Sequence, residues 1–581
     1  MPARNDELAR IFEQIADALE LKGETGFRVL AYRRASRALA DLAEDVATLD
    51  GAGRLEEVPG IGEGIAKKIH EYLATGRMKK LDEALAGLSR ELLGLLAIPG
   101  LGPKTLKLLH DRLKVETRED LKRVLKDGSA AELPGLGEKR VANLRRAMRL
   151  AEMAGERMFL NEALSLARTI EAYLKEHKGT ARVASAGSLR RGKETIGDLD
   201  ILCTGKDPAG IIEHFVSHPR VKQVIGRGET KATVLFETES GLRQADLRVV
   251  NDSEYGSALL YFTGSKDHNI ALRTLAQERG LKISEYGVFR GERRLAGKTE
   301  EEVYRTVGLP CIEPELREDR GEIQAAFDGR LPHLLTQKDI KSDLHMHSSR
   351  SDGTASPEQM VEGCRKRGYT HMAFAEHSAS VSYAGGLSDD QLEELCDWVD
   401  AENGKHGRFR ILKAAEVDIL SSGKLDYPDK LLERLDLVIA SIHQGFKHNC
   451  TERMCSAIAH PLVHLIAHPS GRIIGRRDGY EIDLEKVIAC AAEHGKVLEI
   501  NAFYARLDLS DIWARKAKEA GVLLAVNTDA HGLADLDWMQ YGVLTARRAW
   551  LEPKDVVNCL NASQLRTLLA AIRAGQRART K

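Results

Sequence analysis

The stretch GSLRRGKETIGDLDIL, from Gly187 to Leu202, decides how the central part of this chain folds. It ends in a strand-like run in which Asp198 and Asp200 are separated by one apolar residue. Alternate residues of a strand point to the same face, so both carboxylates are expected to converge on one spot. Because Mg²⁺ prefers carboxylate oxygens together with substrate phosphates, the stretch predicts a magnesium site.

The same stretch begins like a phosphate-binding P-loop and then departs from it. Gly187, Gly192 and Lys193 match the pattern GxxxxGK. Glu194, however, stands where a serine or threonine must reach magnesium. A third acid, Asp246, lies in the apolar strand-like run QADLRVV. Three carboxylates that hold two metals are used for in-line nucleotidyl transfer, so the three aspartates are the predicted catalytic residues.

A short pattern recurs in the helix-like first part of the chain, as VPGIGEGIAKKI from Val58, IPGLGPKTLKLL from Ile98 and LPGLGEKRVANL from Leu133. In each copy the glycines permit a tight turn, and the next helix begins with free N–H groups that form a phosphate site. The pattern resembles the helix-hairpin-helix motif, which grips the DNA backbone without reading sequence. The predicted DNA-binding glycines are Gly60, Gly62, Gly100, Gly102, Gly135 and Gly137.

Length and composition bound the class of protein. A chain of 581 residues is too long for one core, so several domains are expected. The formal net charge of -1 excludes coating of nucleic acid by bulk charge and leaves room for local basic surfaces. The 8 cysteines include no CxxC pair, which is typical of reduced thiols. Without a signal core or a membrane-length apolar run, a cytoplasmic protein is expected.

The Gly-Ser, Arg and GDLD residues of the opening stretch resemble the nucleotidyltransferase signature of DNA polymerase family X. The run YFTGSKDHNIALR, from Tyr261 to Arg273, is similar to the nucleotide-binding segment of that family, although Lys266 replaces an acid. The resemblance covers residues 1 to about 315 and implies that dNTPs are bound with Mg²⁺ or Mn²⁺. The implied nucleotide-binding residues are Gly187, Ser188, Arg191, Gly197, Tyr261, Phe262, Gly264, Asn269 and Arg273. Lys231 and Arg248 are implied DNA contacts.

The first hairpin is similar to the lyase hairpin of polymerase beta, a member of the same family. There a lysine forms a Schiff base with a 5′-deoxyribose phosphate, and Lys68 falls on that position. The alternative is a surface lysine that only contacts phosphate, because nucleophilic work requires a depressed pKa.

Beyond about residue 340, apolar strands alternate with helical stretches, which indicates βα units around a parallel sheet or barrel. The run DLHMHSSRSDG begins at Asp343 and places two histidines on one side of a strand end. Later strands also run into a histidine or an acid, and such strand ends meet at one mouth of a βα barrel. Imidazole with carboxylate suits zinc, manganese or iron, and bridging acids indicate several metals and phosphoester hydrolysis.

This series resembles the PHP (polymerase and histidinol phosphatase) domain, which follows the polymerase core in bacterial family-X polymerases. The implied metal ligands are His345, His347, Asp352, His377, Glu416, His443, His468, Asp529 and His531. The resemblance implies a cluster of three Zn²⁺, Mn²⁺ or Fe²⁺ ions and 3′→5′ exonuclease activity, with abasic-site cleavage or 3′-end cleaning in some members. Glu376 replaces the usual aspartate and is expected to support a ligand. The arginines available for DNA phosphates are Arg472, Arg476, Arg477 and Arg506.

The predicted architecture is multidomain. It comprises α-helical DNA-binding domains at 1–80 and 81–154, an α+β nucleotidyltransferase palm at 155–250 and a thumb at 251–318. A linker at 319–340 then leads to an α/β PHP domain, a distorted βα barrel, at 341–581. The second helical domain is the fingers-like one, with two of the three hairpins.

The function expected is a DNA polymerase that fills short gaps in excision repair and trims 3′ ends. Its partners would be gapped or nicked double-stranded DNA and dNTPs, with no membrane, and the chain would act as a monomer. One alternative keeps the polymerase and makes the PHP domain purely structural. Another is a phosphoesterase of a small phosphorylated metabolite, tethered to DNA by the first half of the chain. A non-enzymatic DNA-binding adaptor is the third.

Overall fold

The computed structural model describes residues 3–24, 27–40, 42, 45–98, 101–138, 140–142, 144–145, 157–405 and 407–575. The predicted DNA-binding residue Gly100 lies outside them. The chain forms two compact units, of which the first comprises 1–156 with 235–244 and the second comprises 157–234 with 245–581.

The first unit is helical apart from residues 235–244, which belong to strands of the next region. Its helices with described bounds are Ala3–Leu21, Phe27–Ala40, Val46–Gly51, Glu63–Thr75, Lys79–Leu85, Arg90–Gly94, Pro103–Leu113 and Arg118–Lys126. One core contains Phe12 and Ile69, and a second contains Leu106 and Val124. Two separate apolar cores agree with a helical region that carries several hairpins.

The region predicted to be the palm contains a mixed five-stranded sheet. Its strands are β2 (Thr180–Ser185), β4 (Leu199–Gly205), β5 (Val221–Arg227), β6 (Lys231–Thr238) and β7 (Gly241–Val250), in the order β2-β4-β7-β6-β5. Strand β4 pairs antiparallel with β2 and parallel with β7. The palm helices are Leu160–Glu176, Gly187–Arg190 and Pro208–Val216, and β1 (Met158–Phe159) pairs with β3 (Thr195–Ile196).

The thumb follows the palm. Its helices are Tyr255–Thr263, Lys266–Glu278 and Glu300–Thr306, and its antiparallel sheet contains β8 (Lys282–Ser284), β9 (Gly287–Arg290) and β10 (Arg293–Ala296). The predicted linker at 319–340 is not an extended, unstructured segment, because it contains the helix Glu322–Phe327. Ala326 and Leu334 of this segment join the apolar core of the thumb, so burial orders a stretch that reads as polar.

The last part of the chain consists of parallel strands. The first sheet contains β11 (Ser342–Asp343), β12 (His371–Ala373) and β13 (Arg410–Leu412). The second contains β14 (Ala414–Asp418), β15 (Leu437–Ser441), β16 (Leu465–Ile466), β17 (Val497–Asn501) and β18 (Leu524–Asn527). Both sheets pair in parallel throughout.

Helices connect these strands, as expected for βα units. The connecting helices are Pro357–Lys366, Asp389–Asn403, Asp429–Leu432, Cys450–Ala459, Leu484–His494 and Asp511–Glu519, and two more helices, Met539–Arg548 and Ala562–Arg573, follow the last strand. The predicted α/β class of this region is therefore confirmed. Within the part of the chain that is described, no helix is long and apolar enough to cross a membrane.

Candidate active sites

Two of the predicted catalytic aspartates occupy opposed positions on neighbouring strands. In the parallel pair β4–β7, Asp200 is in register with Asp246. Asp198 precedes β4 by one residue and is exposed. The three side chains are not among the closely grouped metal-ligating atoms of the described residues.

The electrostatics of this pair favour a cation. Burial, together with the carboxylates of Asp198 and Asp246, raises the pKa of Asp200 to about 7. Although Asp198 is exposed, neighbouring protein atoms partly desolvate its carboxyl group, and this desolvation together with the Asp246 charge raises the pKa of Asp198. The Lys231 ammonium lies 3.3 Å from an Asp246 oxygen, and the Thr233 hydroxyl donates to the same carboxylate. Lys231, predicted to contact DNA, therefore also contacts the carboxylate site.

The segment GSLRRG, from Gly187 to Gly192, is called the signature loop here, and Gly187 allows it to pass close to Asp200. Its φ is +62°, and an ideal Cβ at this position would lie only 2.3 Å from Asp200 Oδ2. No L side chain fits this combination of backbone conformation and close approach. The glycine of the signature therefore keeps the loop against the Asp200 carboxylate.

Arg191 lies beside this loop and is held by protein groups. Its Nε lies 3.1 Å from Glu318 Oε1, and its Nη1 donates to the carbonyl of Thr263. An ideal Cβ on Gly264 would lie 3.1 Å from Arg191 Nη1, so this glycine admits the guanidinium. Of the other predicted nucleotide contacts, Ser188 belongs to the helix Gly187–Arg190, and Gly197 lies beside Arg157.

The remaining predicted nucleotide-binding residues form one group at the start of the thumb. The rings of Tyr261 and Phe262 meet edge to face with centroids 5.2 Å apart, and the guanidinium of Arg248 lies 4.8 Å from the Phe262 ring centroid. Asn269 Nδ2 donates to the Tyr261 carbonyl at 2.8 Å, while Arg273 Nε donates to the Asn269 carbonyl at 3.1 Å. Phe262 and Arg248 line one cleft with Asp200 and Asp246.

The hairpins present open backbone at helix starts. Gly62 is the N-cap of the helix Glu63–Thr75, and Gly102 is the N-cap of the helix Pro103–Leu113. Gly60 and Gly135 have φ values of +101° and +80°, as a tight turn requires. No described atom lies within 4 Å of an ideal Cβ on Gly62, Gly102, Gly135 or Gly137. These turns therefore have space for a phosphate.

Lys68 lies on the helix that follows the first hairpin. Its ammonium donates to the Gly64 carbonyl at 2.6 Å and lies 5.9 Å from the Tyr32 ring centroid. Partial burial and the charge of Lys80 lower the pKa of Lys68. A lowered pKa is the property that a Schiff-base lysine requires.

The predicted ligands of the last domain lie together. They form three groups in which the ligand atoms lie within 4.8 Å of one another, and the first group shares His347 with the second and His377 with the third. The groups contain His347, Asp352, His377 and His531; His345, His347 and Asp529; and His377, Glu416 and His443. His468 joins them through a 2.9 Å contact from its Nε2 to Glu416 Oε1.

Glu416 lies at the centre of this cluster. Its carboxylate oxygens lie 2.9 Å from His377 Nδ1, 3.5 Å from His345 Nε2 and 3.5 Å from His443 Nε2. Asp352 lies between two further imidazoles, at 3.5 Å from His377 Nε2 and 3.3 Å from His531 Nε2. Such carboxylates could bridge neighbouring metal ions.

The donor atoms of this cluster fit metal ions. His345 Nε2 and His347 Nδ1 are buried and have no hydrogen-bond partner within the described chain. Buried polar atoms in proteins nearly always have a hydrogen-bond partner. Imidazole nitrogens that lack one and face other potential metal ligands therefore indicate a site for an ion. Neutral imidazole together with carboxylate is the donor set of zinc, manganese and iron sites.

Glu499 is a functional residue that the sequence reasoning missed. Its carboxylate accepts from His345 Nδ1 at 2.8 Å, from Asn527 Nδ2 at 2.9 Å and from the backbone of His468 at 2.9 Å. The available signal was an acid inside β17, whose other residues are almost all apolar. Glu376 has a related role, because it accepts from the Ser348 backbone at 3.1 Å and thereby anchors the loop after His347.

One predicted DNA contact has another partner. Arg472 is largely buried and forms two hydrogen bonds with Glu194, one of them 3.2 Å long. The prediction that Arg472 is available for DNA phosphates is therefore wrong, because its guanidinium is already paired with the Glu194 carboxylate in the folded chain. Glu194, which broke the P-loop pattern, thus connects the palm to the last domain.

Family models match most parts of the chain. Residues 3–78 match a helix-hairpin-helix domain, and residues 92–149 match a SAM-like helix-hairpin-helix tandem. Residues 258–318 match the DNA polymerase beta thumb, and residues 343–503 match the PHP domain.

Relatives extend this match over the whole length. "DNA polymerase/3'-5' exonuclease PolX" of Bacillus subtilis (strain 168) is 40% identical over 573 residues, which cover 97% of this chain and 99% of that protein. "DNA polymerase lambda" of Rattus norvegicus is 26% identical over 54% of this chain and 56% of its own length. A "Probable phosphatase" of Thermoanaerobacter sp. (strain X514) is 36% identical over 37% of this chain and 89% of its own length. The chain therefore belongs to the family-X DNA polymerases that carry helix-hairpin-helix motifs and a C-terminal PHP domain.

Proposed function

We propose that this chain is a DNA polymerase that fills short gaps during repair and trims 3′ ends with its PHP domain. The main support for polymerase activity is that Asp200 and Asp246 lie opposite each other on paired strands, with Gly187 of the signature loop directly against Asp200. Asp198, Asp200 and Asp246 would hold Mg²⁺ or Mn²⁺, which supplies charge neutralisation at the transferred phosphate and a lowered pKa for the primer 3′-hydroxyl.

The neighbouring side chains suit an incoming dNTP. Ser188 and Arg191 would bind its β- and γ-phosphates. Gly187, Gly197 and Gly264 would let the backbone of their loops approach the nucleotide closely. Tyr261 and Phe262 would line the sugar and reject a 2′-hydroxyl, while Asn269 and Arg273 would face the edge of the nascent base pair. Charge-assisted contacts of this kind position the triphosphate for in-line transfer.

The hairpins would hold gapped or nicked duplex DNA. Gly62, Gly102, Gly135 and Gly137 lie at turns with open backbone, where N–H groups can donate to phosphates, and Gly60 forms the tight turn of the first hairpin. Such contacts position a duplex without reading its bases, as a gap-filling enzyme requires. Lys231 and Arg248 would contact the template or primer strand beside the carboxylates.

The PHP cluster supports 3′→5′ exonuclease activity. The main support is that Glu416, Asp352 and Asp529 lie between imidazoles that each have one buried nitrogen without a hydrogen-bond partner within the described chain. The nine residues would hold three Zn²⁺, Mn²⁺ or Fe²⁺ ions, which supply an activated water for phosphoester hydrolysis. A purely structural PHP domain has no need of so many unsatisfied buried donors.

A lyase activity at Lys68 is a second candidate, favoured by the lowered pKa of that side chain. The uncharged amine would attack the aldehyde carbon of a 5′-deoxyribose phosphate. Trapping of the imine by borohydride tests this role, with Lys67→Ala as the control because Lys67 is a neighbouring exposed lysine on the same helix.

Both main activities are tested with one substrate. The purified chain is incubated with a gapped duplex that carries a labelled primer, with and without dNTPs, in Mg²⁺ and in Mn²⁺. We expect extension to the end of the gap with dNTPs and stepwise shortening of the primer without them. A chain that hydrolyses small phosphorylated metabolites and leaves the primer unchanged would contradict the proposal.

Measurement of the metal content of the purified chain tests the alternative in which the PHP domain is purely structural, because such a domain should bind little metal.

A further inference from the structure

A buried ionic cluster joins the PHP domain to the signature loop of the palm. Arg548, the last residue of the PHP helix Met539–Arg548, has only 2% of its side chain exposed. Its Nη1 donates to the carbonyl of Arg191 at 2.8 Å and to Glu318 Oε1 at 2.9 Å. Its Nη2 donates to Asp511 Oδ2 at 2.8 Å. Arg548 thus contacts both the backbone of Arg191 and the carboxylate that Arg191 uses.

Glu318 is shared by the two arginines. Its Oε1 lies 3.1 Å from Arg191 Nε and 2.9 Å from Arg548 Nη1, and only 11% of its side chain is exposed. Because the Glu318 carboxylate is buried, removal of either arginine would leave it short of positive charge and free to turn. The orientation of the Arg191 guanidinium therefore depends on a residue of another domain.

The charge of the cluster suits an anionic ligand. Lys193 is in electrostatic contact with Arg548, Glu318, Asp511 and Arg320, and Arg320 pairs with Asp511 at 3.0 Å. The cationic residues Arg191, Lys193, Arg320 and Arg548 outnumber the carboxylates Glu318 and Asp511. This excess of positive charge beside the signature loop, carried by partly buried side chains and the almost fully buried Arg548, is stabilised when a polyphosphate binds next to it.

We infer that Arg548 is a positioning residue of the polymerase site, through which the PHP domain holds Arg191 in the orientation that receives the phosphates of the incoming dNTP. This inference rests on the proposed function, in which Arg191 binds those phosphates. It gives the PHP domain a part in DNA synthesis that is separate from hydrolysis, because none of the nine predicted metal ligands takes part in these contacts.

The chain offers a matched control next to Arg548. Arg547 precedes Arg548 on the same helix, pairs with Glu315 at 2.7 Å and donates to the Leu335 carbonyl at 3.0 Å. Arg547 thus forms a comparable ion pair without contact to Arg191. Arg548→Met and Arg547→Met remove one guanidinium each from the same interface.

The readout is dNTP binding by the full chain. The KM for dNTP is measured during gap filling, and dNTP dissociation is measured on a gapped duplex with a chain-terminated primer. We expect Arg548→Met to weaken dNTP binding by roughly tenfold, the loss typical of one charge-assisted contact, and to leave gapped-DNA affinity unchanged. Arg547→Met should bind dNTP like the parent chain. Equal dNTP affinity in the two variants would overturn the inference.

Two further measurements keep the test decisive. In a double-mutant cycle, Arg548→Met should add little to Arg191→Lys, because the first residue acts through the second; multiplied effects would overturn the inference. If Arg548→Met does not fold, Arg548→Lys replaces it, since a single compact ammonium cannot reproduce the two separate nitrogens with which the guanidinium reaches the Arg191 carbonyl, Glu318 and Asp511. The lysine variant should still bind dNTP more weakly than the parent, and parental affinity would count against the inference. Failure of the proposed function is distinguishable, because the parent chain itself would then not extend the primer.

Discussion

His345 Nδ1 and a Glu499 carboxylate oxygen lie 2.8 Å apart, and both side chains are fully buried. The carboxylates of Glu499, Asp529 and Glu416 raise the pKa of His345 well above its ordinary value, even though burial alone would lower it. The contact also orients the ring, so that Nε2 faces Glu416 and Asp529. Glu499 therefore sets the direction in which His345 offers its ligand atom.

Glu499→Gln should weaken metal binding at the PHP cluster by about 10–100-fold, the range found when a group that orients a ligand is removed. The amide can still accept a hydrogen bond, but it lacks the charge that increases the basicity of the imidazole. Metal content after dialysis and primer shortening measure the effect. Glu493→Gln, on an exposed glutamate of the preceding helix, is the control. Full metal content in Glu499→Gln would contradict this role.

Gly187→Ala should reduce primer extension by on the order of 100-fold, because small displacements of catalytic groups are that costly. Its Cβ would lie 2.3 Å from Asp200 Oδ2 at a φ of +62°, so the carboxylate must move. Primer shortening should stay at the parental rate. In the control Gly228→Ala, the nearest heavy atom lies 3.7 Å from the added Cβ. Normal extension by Gly187→Ala would show that the loop tolerates displacement.

At the first hairpin, two substitutions of Gly62 distinguish repulsion of DNA phosphates by an added negative charge from a change in helix stability. Aspartate and serine are both good N-cap residues, and at Gly62 no described atom obstructs either side chain. Gly62→Asp should lower the affinity for gapped DNA by about tenfold at low salt, because its carboxylate repels the phosphate, whereas Gly62→Ser should bind nearly normally. Fluorescence anisotropy measures both. Equal affinities would mean that this hairpin does not contact the backbone of DNA.

Glu300 should make part of the stability depend on pH. Burial opposes its ionisation, but Arg190 and Arg317, both within 2.8 Å, lower the pKa of Glu300 to about 2. A lowered folded-state pKa contributes stability above the ordinary value of 4.5, and this contribution, about 3 kcal/mol, is lost as the pH falls towards 2. In urea unfolding, Glu300→Gln should therefore be less stable at pH 7, with a difference that shrinks below pH 4.5.

The control for this measurement is Glu301→Gln, since Glu301 is exposed on the same helix. Its stability should follow that of the parent chain at every pH. A difference between Glu300→Gln and the parent that does not change with pH would contradict the linkage.

The parts of the fold that follow from local sequence were predictable. Asp198, Asp200 and the PHP histidines stand out because each lies in or at the end of an apolar strand, where a polar residue requires a reason. The glycine turns are equally visible, because Gly60 and Gly135 adopt conformations that other residues avoid. The multidomain class and the family follow from these patterns and are confirmed.

The parts that depend on docking were not predictable. Nothing near Arg472 in the sequence indicates that Glu194 is its partner, because 278 residues separate them. Arg548 and Arg191 are likewise 357 residues apart. Glu499 was missed for another reason: a single acid within a strand gives no sign of the histidine that it will face.

The central claim is that synthesis and 3′ trimming occur at separate metal sites, and one measurement tests it most directly. The parent chain, Asp198→Ala with Asp200→Ala, and His345→Ala are each incubated with a gapped duplex, with and without dNTPs. The double aspartate variant should lose extension and keep primer shortening, whereas His345→Ala should extend normally and lose shortening. Loss of both activities in the aspartate variant, or retained shortening in His345→Ala, would contradict the account.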